Sequence, residues 1–227
     1  MSESPDGPDE SPERTSQRTR IEAVISDFGG VLTSPLGDSF SAYQDSSGIP
    51  LEELGTAMAA LWRQLGANPL FELETGRMTE ARFLELLSSQ LTSQLGREVT
   101  MHGFRERYFE HLHPNEEMIG YMRELHGRGY RLAICTNNVR EWEQSWRAKL
   151  PVDEIFEVVV DSAFVGTRKP ERRIYELTLE RLGVTPGAAL LIDDIELNCD
   201  VARELGIESI WFKSNDQAIS EMEARLA

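Results

Sequence analysis

The chain has 227 residues, of which 40% are hydrophobic and 27% are charged, a composition typical of a folded domain with one sizeable core. Its formal net charge of -16 disfavours binding to the phosphate backbone of nucleic acids and to anionic membrane surfaces. No apolar run of the sequence approaches the length of a membrane span. We therefore expect neither a nucleic-acid partner nor a membrane partner.

The N-terminal segment and the two cysteines bear on where in the cell the protein is expected. Residues 1–20 are polar, contain three prolines and have no apolar centre, so we predict a disordered tail and no secretory signal. Cys135 and Cys199 lie in apolar stretches, and the sequence has no CxxC pair. We interpret them as buried, reduced thiols of a cytoplasmic protein.

Five short apolar runs rich in β-branched residues predict buried strands. They span residues 21–27, 131–138, 156–164, 188–196 and 208–212. Amphipathic helical patterns lie between the later runs, at residues 116–128, 171–182 and 197–205, and each ends at a glycine. This alternation predicts an α/β fold, a Rossmann-like doubly wound parallel sheet with helices on both faces.

Residues 34–114 interrupt the alternation, because they contain helical patterns and no convincing strand. Helices are indicated within residues 51–66, 79–96 and 103–112. A helical block after the first strand, with the sheet resuming later, is typical of an inserted second domain. We therefore predict an α/β core made of residues 21–33 and 115–227, with a helical insert of residues 34–114.

Polar side chains end three of the predicted strands. Asp27 ends the first, Thr136 and Asn137 end the second, and Asp193 and Asp194 end the fourth. Ligands of parallel α/β sheets gather beyond the carboxyl ends of the strands, so we expect these residues to converge. Two adjacent acids directly after an apolar run favour a ligand role over a solvated turn.

Four motifs in order resemble those of the haloacid dehalogenase superfamily. They are ISDFGGVLT with Asp27, AICTNN with Thr136, GTRKPERRIYE with Lys169, and LLIDDIELNCD with the Asp193–Asp194 pair. Each motif alone is weak, but four in this order at predicted strand ends are specific. The insert resembles the small helical cap of that family. The chain most resembles the branch that contains the N-terminal phosphatase domain of soluble epoxide hydrolase and bacterial sugar-1-phosphate phosphatases.

The resemblance implies a hydrolase that removes phosphate from a small phosphorylated metabolite, with a sugar phosphate as one candidate. Asp27 would be the nucleophile that forms an acyl phosphate. By the family pattern, Mg²⁺ would be held by Asp27, the backbone carbonyl of Gly29 and Asp194, with Asp193 acting indirectly through water. Magnesium prefers such oxygen ligands and uses few protein carboxylates.

The resemblance also implies roles for four polar residues. Lys169 would neutralise the phosphate and the nucleophile together, as a point charge on a flexible stem. Thr136 would take part in catalysis, and its hydroxyl and the Asn137 amide would bind a phosphate oxygen. Asn198 matches a position that the same branch uses near the metal, and we count it with Thr136, Asn137 and Lys169 as a candidate substrate-binding residue, although the sequence alone equally allows it to cap a helix.

Gly29 departs from the family pattern. Most phosphatases of the superfamily carry a second aspartate two residues after the nucleophile, where it protonates the leaving group. Positioned proton transfer contributes roughly a hundred- to ten-thousand-fold in rate. The glycine suggests either a good leaving group, such as an anomeric phosphate, or another proton shuttle. His102, His111 and His113 lie in or beside the insert and are candidates for that shuttle.

The glycine also leaves two other functions open. A metal-independent 2-haloacid dehalogenase-type hydrolase would need no acid for its leaving group, although it would leave Asp193 and Asp194 unexplained. A non-catalytic member would bind a phosphorylated ligand or a partner protein without turnover. The oligomeric state is not readable from the sequence.

Overall fold

A computed structural model describes residues 20–226, so the predicted tail lies outside the described residues except for Arg20. The described residues form five strands: β1 (Ala23–Ser26), β2 (Arg131–Thr136), β3 (Val158–Asp161), β4 (Ala189–Asp193) and β5 (Glu208–Trp211). All neighbouring strands are parallel, and the sheet order is β3-β2-β1-β4-β5. The predicted α/β parallel sheet is confirmed.

Twelve α-helices and two short 3₁₀ helices, at residues 140–142 and 186–188, surround this sheet in the described chain. The α-helices are α1 (Leu36–Ser47), α2 (Leu51–Leu65), α3 (Pro69–Glu74), α4 (Glu80–Leu95), α5 (Phe104–Glu110), α6 (Glu116–Gly127), α7 (Glu143–Arg147), α8 (Val152–Ile155), α9 (Ser162–Val165), α10 (Arg172–Leu182), α11 (Glu196–Glu204) and α12 (Asn215–Leu226). In the described chain, the first six α-helices lie between β1 and β2, and α1–α5 of them fall within residues 34–114.

The sheet is buried on both faces, because successive side chains of a strand pack alternately into two apolar clusters, one on each face. On β1, Val24 belongs to the cluster that includes Met122 of α6 and Met222 of α12. Ala23 and Ile25 belong to the other cluster, which α10 and α11 cover. Burying a side chain such as isoleucine contributes about 1.5–3 kcal/mol. Burial of these near-continuous apolar strands therefore holds the sheet between two layers of helices.

The strand order reverses at β1, and this reversal positions the candidate site. The first half of the sheet runs from β1 through β2 to β3, whereas β4 and β5 lie on the other side of β1. Ser26 at the end of β1 is in register with Ile134 of β2 and Ile192 of β4. The residues that follow these three strands therefore meet at a topological switch point, where such sheets bind ligands.

The chain leaves the α/β core before α1 and returns to it after α5, and the two crossings lie side by side. Thr33 and Pro114 form an antiparallel bridge. The Ser34 amide donates to the His113 carbonyl at 2.8 Å, and the Asn115 amide donates to the Leu32 carbonyl at 2.9 Å. These contacts lie at the predicted boundaries of the helical insert. The division of the chain into two domains stays a prediction.

The observed elements differ from the predicted ones mainly in the loops. The third apolar run was predicted to continue as a strand to residue 164, but the strand ends at Asp161 and α9 begins at Ser162. The Asp161 carboxylate accepts from the Ala163 amide at 2.9 Å and so starts the helix. Short helices such as α3, and the C-terminal α12, were not predicted. None of the helices within residues 20–226 is long and apolar enough to cross a bilayer.

Candidate active site

Three carboxylates meet at the switch point of the sheet. Asp27 follows β1, Asp193 ends β4, and Asp194 comes next in the chain. Each offers one carboxylate oxygen, and the three oxygens lie within 4.8 Å of one another. Asp193 is fully buried and Asp27 is 7% exposed. Oxygen donors from two distant stretches of chain are thus close enough to share one cation.

Lys169 joins two of these carboxylates from the loop before α10. Its ammonium nitrogen lies 2.9 Å from Asp27 Oδ1 and 2.6 Å from Asp193 Oδ2. The side chain is only 1% exposed. Burial acts to lower the pKa of Lys169, but the negative charges of Asp193 and Asp27 outweigh burial and raise the pKa well above its ordinary value. Lys169 is therefore a permanent positive charge at the centre of the site.

One lysine does not balance three acids in this buried space. Burial raises the pKa of Asp27 to about 8, and the charges of Asp193 and Asp194 add to the increase although Lys169 opposes it. Burial, followed by the charge of Asp193, also raises the pKa of Asp194 to about 6. A clustered set of carboxylate oxygens with excess negative charge fits a hard divalent cation. The donor set therefore fits magnesium.

The backbone after β1 is shaped to approach the acidic pair. The Asp27 amide donates to the Ile192 carbonyl of β4 at 2.9 Å, which fixes the end of one strand against the other. The Phe28 amide donates to Asp27 Oδ1 at 2.6 Å and orients that carboxylate. Gly30 has a φ of 75°, and a Cβ atom at this position would overlap the carboxylate of Asp194. Only glycine allows this close approach.

Asn198 holds Asp193 in place and does not cap a helix. It lies inside α11, whose N-cap residue is Ile195. Its amide nitrogen donates to Asp193 Oδ1 at 2.8 Å, and the Ile195 amide donates to the same oxygen at 2.9 Å. The helix-capping alternative is therefore wrong, and Asn198 belongs to the site through Asp193. Direct contact of Asn198 with a substrate stays a prediction.

Asn137 is hydrogen-bonded to the backbone of the catalytic lysine candidate. The Lys169 amide donates to Asn137 Oδ1 at 2.8 Å, and Asn137 Nδ2 donates to the Lys169 carbonyl at 2.9 Å. Thr136, the residue before Asn137, is buried at the end of β2. Asn137 thus ties the loop of Lys169 to the end of β2. Phosphate contacts by Thr136 and Asn137 stay predictions.

The space beside Gly29 is apolar. An ideal Cβ atom at Gly29 would lie 3.0 Å from both methyl carbons of Leu36, the first residue of α1. The sequence showed that an aspartate was absent here, but it could not show what takes its place. A metal contact by the Gly29 carbonyl stays a prediction. His102, His111 and His113 are exposed, and no hydrogen bond within residues 20–226 links their side chains to the three acids.

The family follows from comparison with known proteins. A model of the haloacid dehalogenase-like hydrolase family matches residues 21–206. The chain belongs to this family. The hydrolase is also 31% identical over 211 residues to mouse (Mus musculus) acyl-CoA dehydrogenase family member 10, a match that covers 90% of the chain and 19% of that protein.

Further relatives are phosphatases and enzymes of known structure. The hydrolase is 33% identical over 119 residues to a glyceraldehyde 3-phosphate phosphatase of Pyrococcus abyssi, covering 51% of the chain and 48% of that protein. The chain thus spans less than half the length of both curated relatives. A family enzyme of Bacteroides thetaiotaomicron, solved with magnesium and inorganic phosphate, has a TM-score of 0.63 at 21% identity, covering 85% of this chain and 94% of that one. The L-2-haloacid dehalogenase RSc1362 has a TM-score of 0.60 at 21% identity, covering 85% and 86%.

The sequence did not predict one ion pair of the hydrolase near the site. Glu74 of α3 forms an ion pair with Arg168, the neighbour of Lys169, with 2.6 Å between Oε2 and Nε. The Arg168 guanidinium also lies 3.9 Å from the ring centre of Phe71 in the same helix. The helices after β1 therefore contact the loop that carries Lys169. The motif around Lys169 contained Arg168, but nothing in the sequence indicated its distant acidic partner.

Proposed function

We propose that this hydrolase is a magnesium-dependent phosphatase that cleaves a small organic phosphate through an aspartyl-phosphate on Asp27. The observation that carries the proposal is the cluster of the buried Asp27 and Asp193 with the partly buried Asp194, in which Lys169 forms ion pairs with Asp27 and Asp193. Support comes from a relative that is named a phosphatase and from a similar fold solved with magnesium and phosphate.

Asp27 is suited to be the nucleophile. Its carboxylate stands at the end of the central strand, and the Lys169 ammonium and the Phe28 amide both hold Oδ1. In the proposed reaction a bond forms between an Asp27 oxygen and phosphorus while the ester bond opposite breaks. Water then hydrolyses the acyl phosphate and releases inorganic phosphate. Lys169 lowers the repulsion between the attacking carboxylate and the phosphate dianion throughout.

Asp27, Asp194 and the Gly29 carbonyl would hold the metal ion, with Asp193 oriented by Asn198 behind them. When bound, magnesium supplies positive charge between the nucleophile and the phosphate oxygens. The raised pKa of Asp27 makes this charge important, because burial favours the protonated form that cannot attack.

The acidic pair favours phosphate over a haloacid as substrate. Displacement of halide by a carboxylate uses no divalent cation, so such an enzyme would place Asp194 near Asp27 with no benefit. Two acids that raise the pKa of the Asp27 carboxyl would lower the fraction of it that is ionised and able to attack. A haloacid dehalogenase activity is therefore kept as an outcome of the test below.

A small phosphorylated metabolite is the proposed substrate, and a sugar phosphate is the first class to examine. The support is the relative that acts on glyceraldehyde 3-phosphate according to its name. We further infer a cytoplasmic location, since Cys135 and Cys199 are both buried free thiols.

The decisive experiment measures phosphate release from para-nitrophenyl phosphate and from a panel of sugar phosphates. We expect turnover with magnesium, loss of turnover with a chelator, and loss of turnover in Asp27→Asn. Asp200→Asn is the matched control, because Asp200 lies on α11 in an exposed ion pair with Arg203. It should retain full activity.

Two results would overturn the proposal. Halide release from a chlorinated carboxylic acid, unaffected by chelator, would identify a dehalogenase. Binding of phosphate esters without any product, in protein that is folded and loaded with magnesium, would identify a non-catalytic member of the family.

A further inference from the structure

Tyr108 of α5 is a buried tyrosine whose hydroxyl makes no hydrogen bond to any residue that the structure describes. Its side chain is 6% exposed. The sealed side-chain atoms without a hydrogen-bond partner among residues 20–226 are the Ser39 hydroxyl, Trp146 Nε1 and Asp161 Oδ2. The Tyr108 hydroxyl is not among them, so it lies on the small part of the side chain that is still open. A buried donor facing an opening without a partner suggests a ligand contact.

An aromatic cluster fixes the ring of Tyr108. The ring centre lies 4.9 Å from that of Trp142, 5.3 Å from that of Phe109 and 5.6 Å from that of Phe40. Trp142 is itself anchored, because its indole nitrogen donates to Glu80 Oε1 at 2.7 Å. Such packing leaves the phenol few rotamers. The position of the hydroxyl is therefore fixed before any ligand arrives.

The hydroxyl lies within the electrostatic field of the site. Burial raises the pKa of Tyr108, and the negative charges of Glu74 and Asp27 raise it further. The phenol therefore keeps its proton at any physiological pH and can act as a hydrogen-bond donor. The ring of Tyr108 packs against that of Trp142, which follows Asn137 at the end of β2 by five residues, so the tyrosine lies near the edge of the sheet that carries the acids.

The direction of the reaction relates Tyr108 to the leaving group. In phosphoryl transfer the attacking and leaving oxygens lie roughly in line on opposite sides of phosphorus. Asp27 attacks from the end of β1, so the leaving oxygen points away from that end of the strand. The helices after β1 reach this side of the sheet, because Glu74 of α3 pairs with Arg168 beside Lys169. Tyr108 belongs to the last of these helices, α5. Gly29 supplies no side chain to that oxygen, and the three nearby histidines are exposed.

We propose that the Tyr108 hydroxyl donates a hydrogen bond to the leaving-group oxygen of the substrate, and so makes this residue a determinant of which esters are cleaved. The inference rests on the proposed phosphatase function. The hydrogen bond stabilises the charge that develops on the departing oxygen without transfer of the phenolic proton. It replaces part of what an acid at position 29 would provide.

The test compares Tyr108→Phe with wild type on two esters. With an unactivated alkyl phosphate, whose leaving oxygen needs stabilisation, kcat should fall about tenfold, the value of one hydrogen bond. With para-nitrophenyl phosphate, whose leaving group is already stable, the loss should stay below about threefold. Equal losses on both esters, or no loss on either, would overturn the proposal.

Tyr121→Phe is the matched control. Tyr121 of α6 is also buried, but its hydroxyl already has a partner, because it donates to Glu223 of α12 at 2.6 Å. Removal of that hydroxyl should leave the ratio of the two rates unchanged. A similar change of the ratio in both variants would assign the effect to general loosening of the fold.

A binding measurement separates this inference from the proposed function. Calorimetry on Asp27→Asn, with and without Tyr108→Phe, uses an alkyl phosphate and the phosphonate in which CH₂ replaces its bridging oxygen. The phenylalanine should weaken binding of the phosphate by only about two- to threefold, less than it lowers kcat, because the ester oxygen gains most of its charge in the transition state; binding of the phosphonate should stay unchanged. This result, together with a wild-type protein that releases no phosphate from any ester, would retain the Tyr108 contact and reject the phosphatase. Equal effects on both ligands would reject the contact whatever the activity.

Discussion

The side chain of Leu36 occupies the space that a side chain at Gly29 would need. Both of its methyl carbons would lie 3.0 Å from a Cβ atom at that position, closer than ordinary contacts. Leu36 is also partly buried against the main core. The two residues therefore form one apolar feature beside the proposed nucleophile Asp27, and a side chain added at position 29 alone contacts a neighbour that must move.

This relationship predicts how an acid can be restored. Gly29→Asp alone should not raise the rate, because the new carboxylate is forced against Leu36. Gly29→Asp combined with Leu36→Ala should raise kcat for alkyl phosphates by up to about a hundredfold, the lower range for positioned proton transfer. Steady-state kinetics on alkyl and aryl phosphates measures both. Leu36→Ala alone is the control, and a rate as high as that of the double variant would contradict the explanation.

Removal of the lysine charge should destabilise the fold. Lys169→Met leaves Asp27 and Asp193 facing each other in a buried site, and breaking such a pair costs about 3 kcal/mol in free energy of unfolding. Urea unfolding in chelator measures the loss, and magnesium should reduce it. Arg172→Met is the control, since its ion pair with Glu204 is exposed and contributes less than about 1 kcal/mol. A loss of equal size in both variants would rule out the buried-charge explanation.

The stability of the metal-free protein should depend on pH through Asp27 and Asp194. Their pKa values are raised from 3.8 to about 8 and to about 6. A carboxyl group with a raised pKa stabilises the fold below its unfolded-state pKa, and this stabilisation is lost as pH rises through the folded-state pKa. The free energy of unfolding should therefore fall between about pH 4 and about pH 8. Lys169 adds no slope in this window, because it is charged in both states.

Asp27→Asn tests that pH dependence. The asparagine cannot titrate, so the decrease in the free energy of unfolding between about pH 6 and about pH 8 should become smaller than in wild type. Urea unfolding in chelator at several pH values provides the comparison. Identical slopes in wild type and variant would show that another group is responsible.

Asn137 offers a test of positioning against phosphate binding. Asn137→Ala removes two hydrogen bonds to the backbone of Lys169, which should lower the free energy of unfolding by about 2 kcal/mol without any ligand present. It should also lower kcat, because the Lys169 loop loses its anchor. Chemical denaturation and kinetics measure the two effects. A variant with unchanged stability and a raised KM would instead indicate that Asn137 mainly contacts phosphate.

The sequence predicted the sheet well because its evidence is local. Runs such as residues 131–138 are apolar on both faces, which only a buried parallel strand explains, and the observed strand covers residues 131–136. Convergence of Asp27 with Asp193 and Asp194 also followed, since strand ends must meet at one edge. Short helices could not be predicted in the same way. α9 depends on a cap by Asp161 that only the folded loop creates.

The sequence could not predict contacts between segments that lie far apart in the chain. The pair of Glu74 and Arg168 joins residues 94 positions apart, and neither residue carries a pattern that indicates the other. The same is true of Leu36 beside Gly29 and of Tyr108 in the field of Asp27. The motifs of the sequence identified the candidate catalytic residues, whereas several residues that surround them belong to the helices after β1.

The paired crossing at Thr33 and Pro114 makes the segment between them exchangeable. Its two ends are hydrogen-bonded neighbours, so a different set of helices of any length could begin and finish there without moving β1 or α6. An engineer could thus replace these helices and leave in place the edge of the sheet at which Asp27, Asp193 and Asp194 meet.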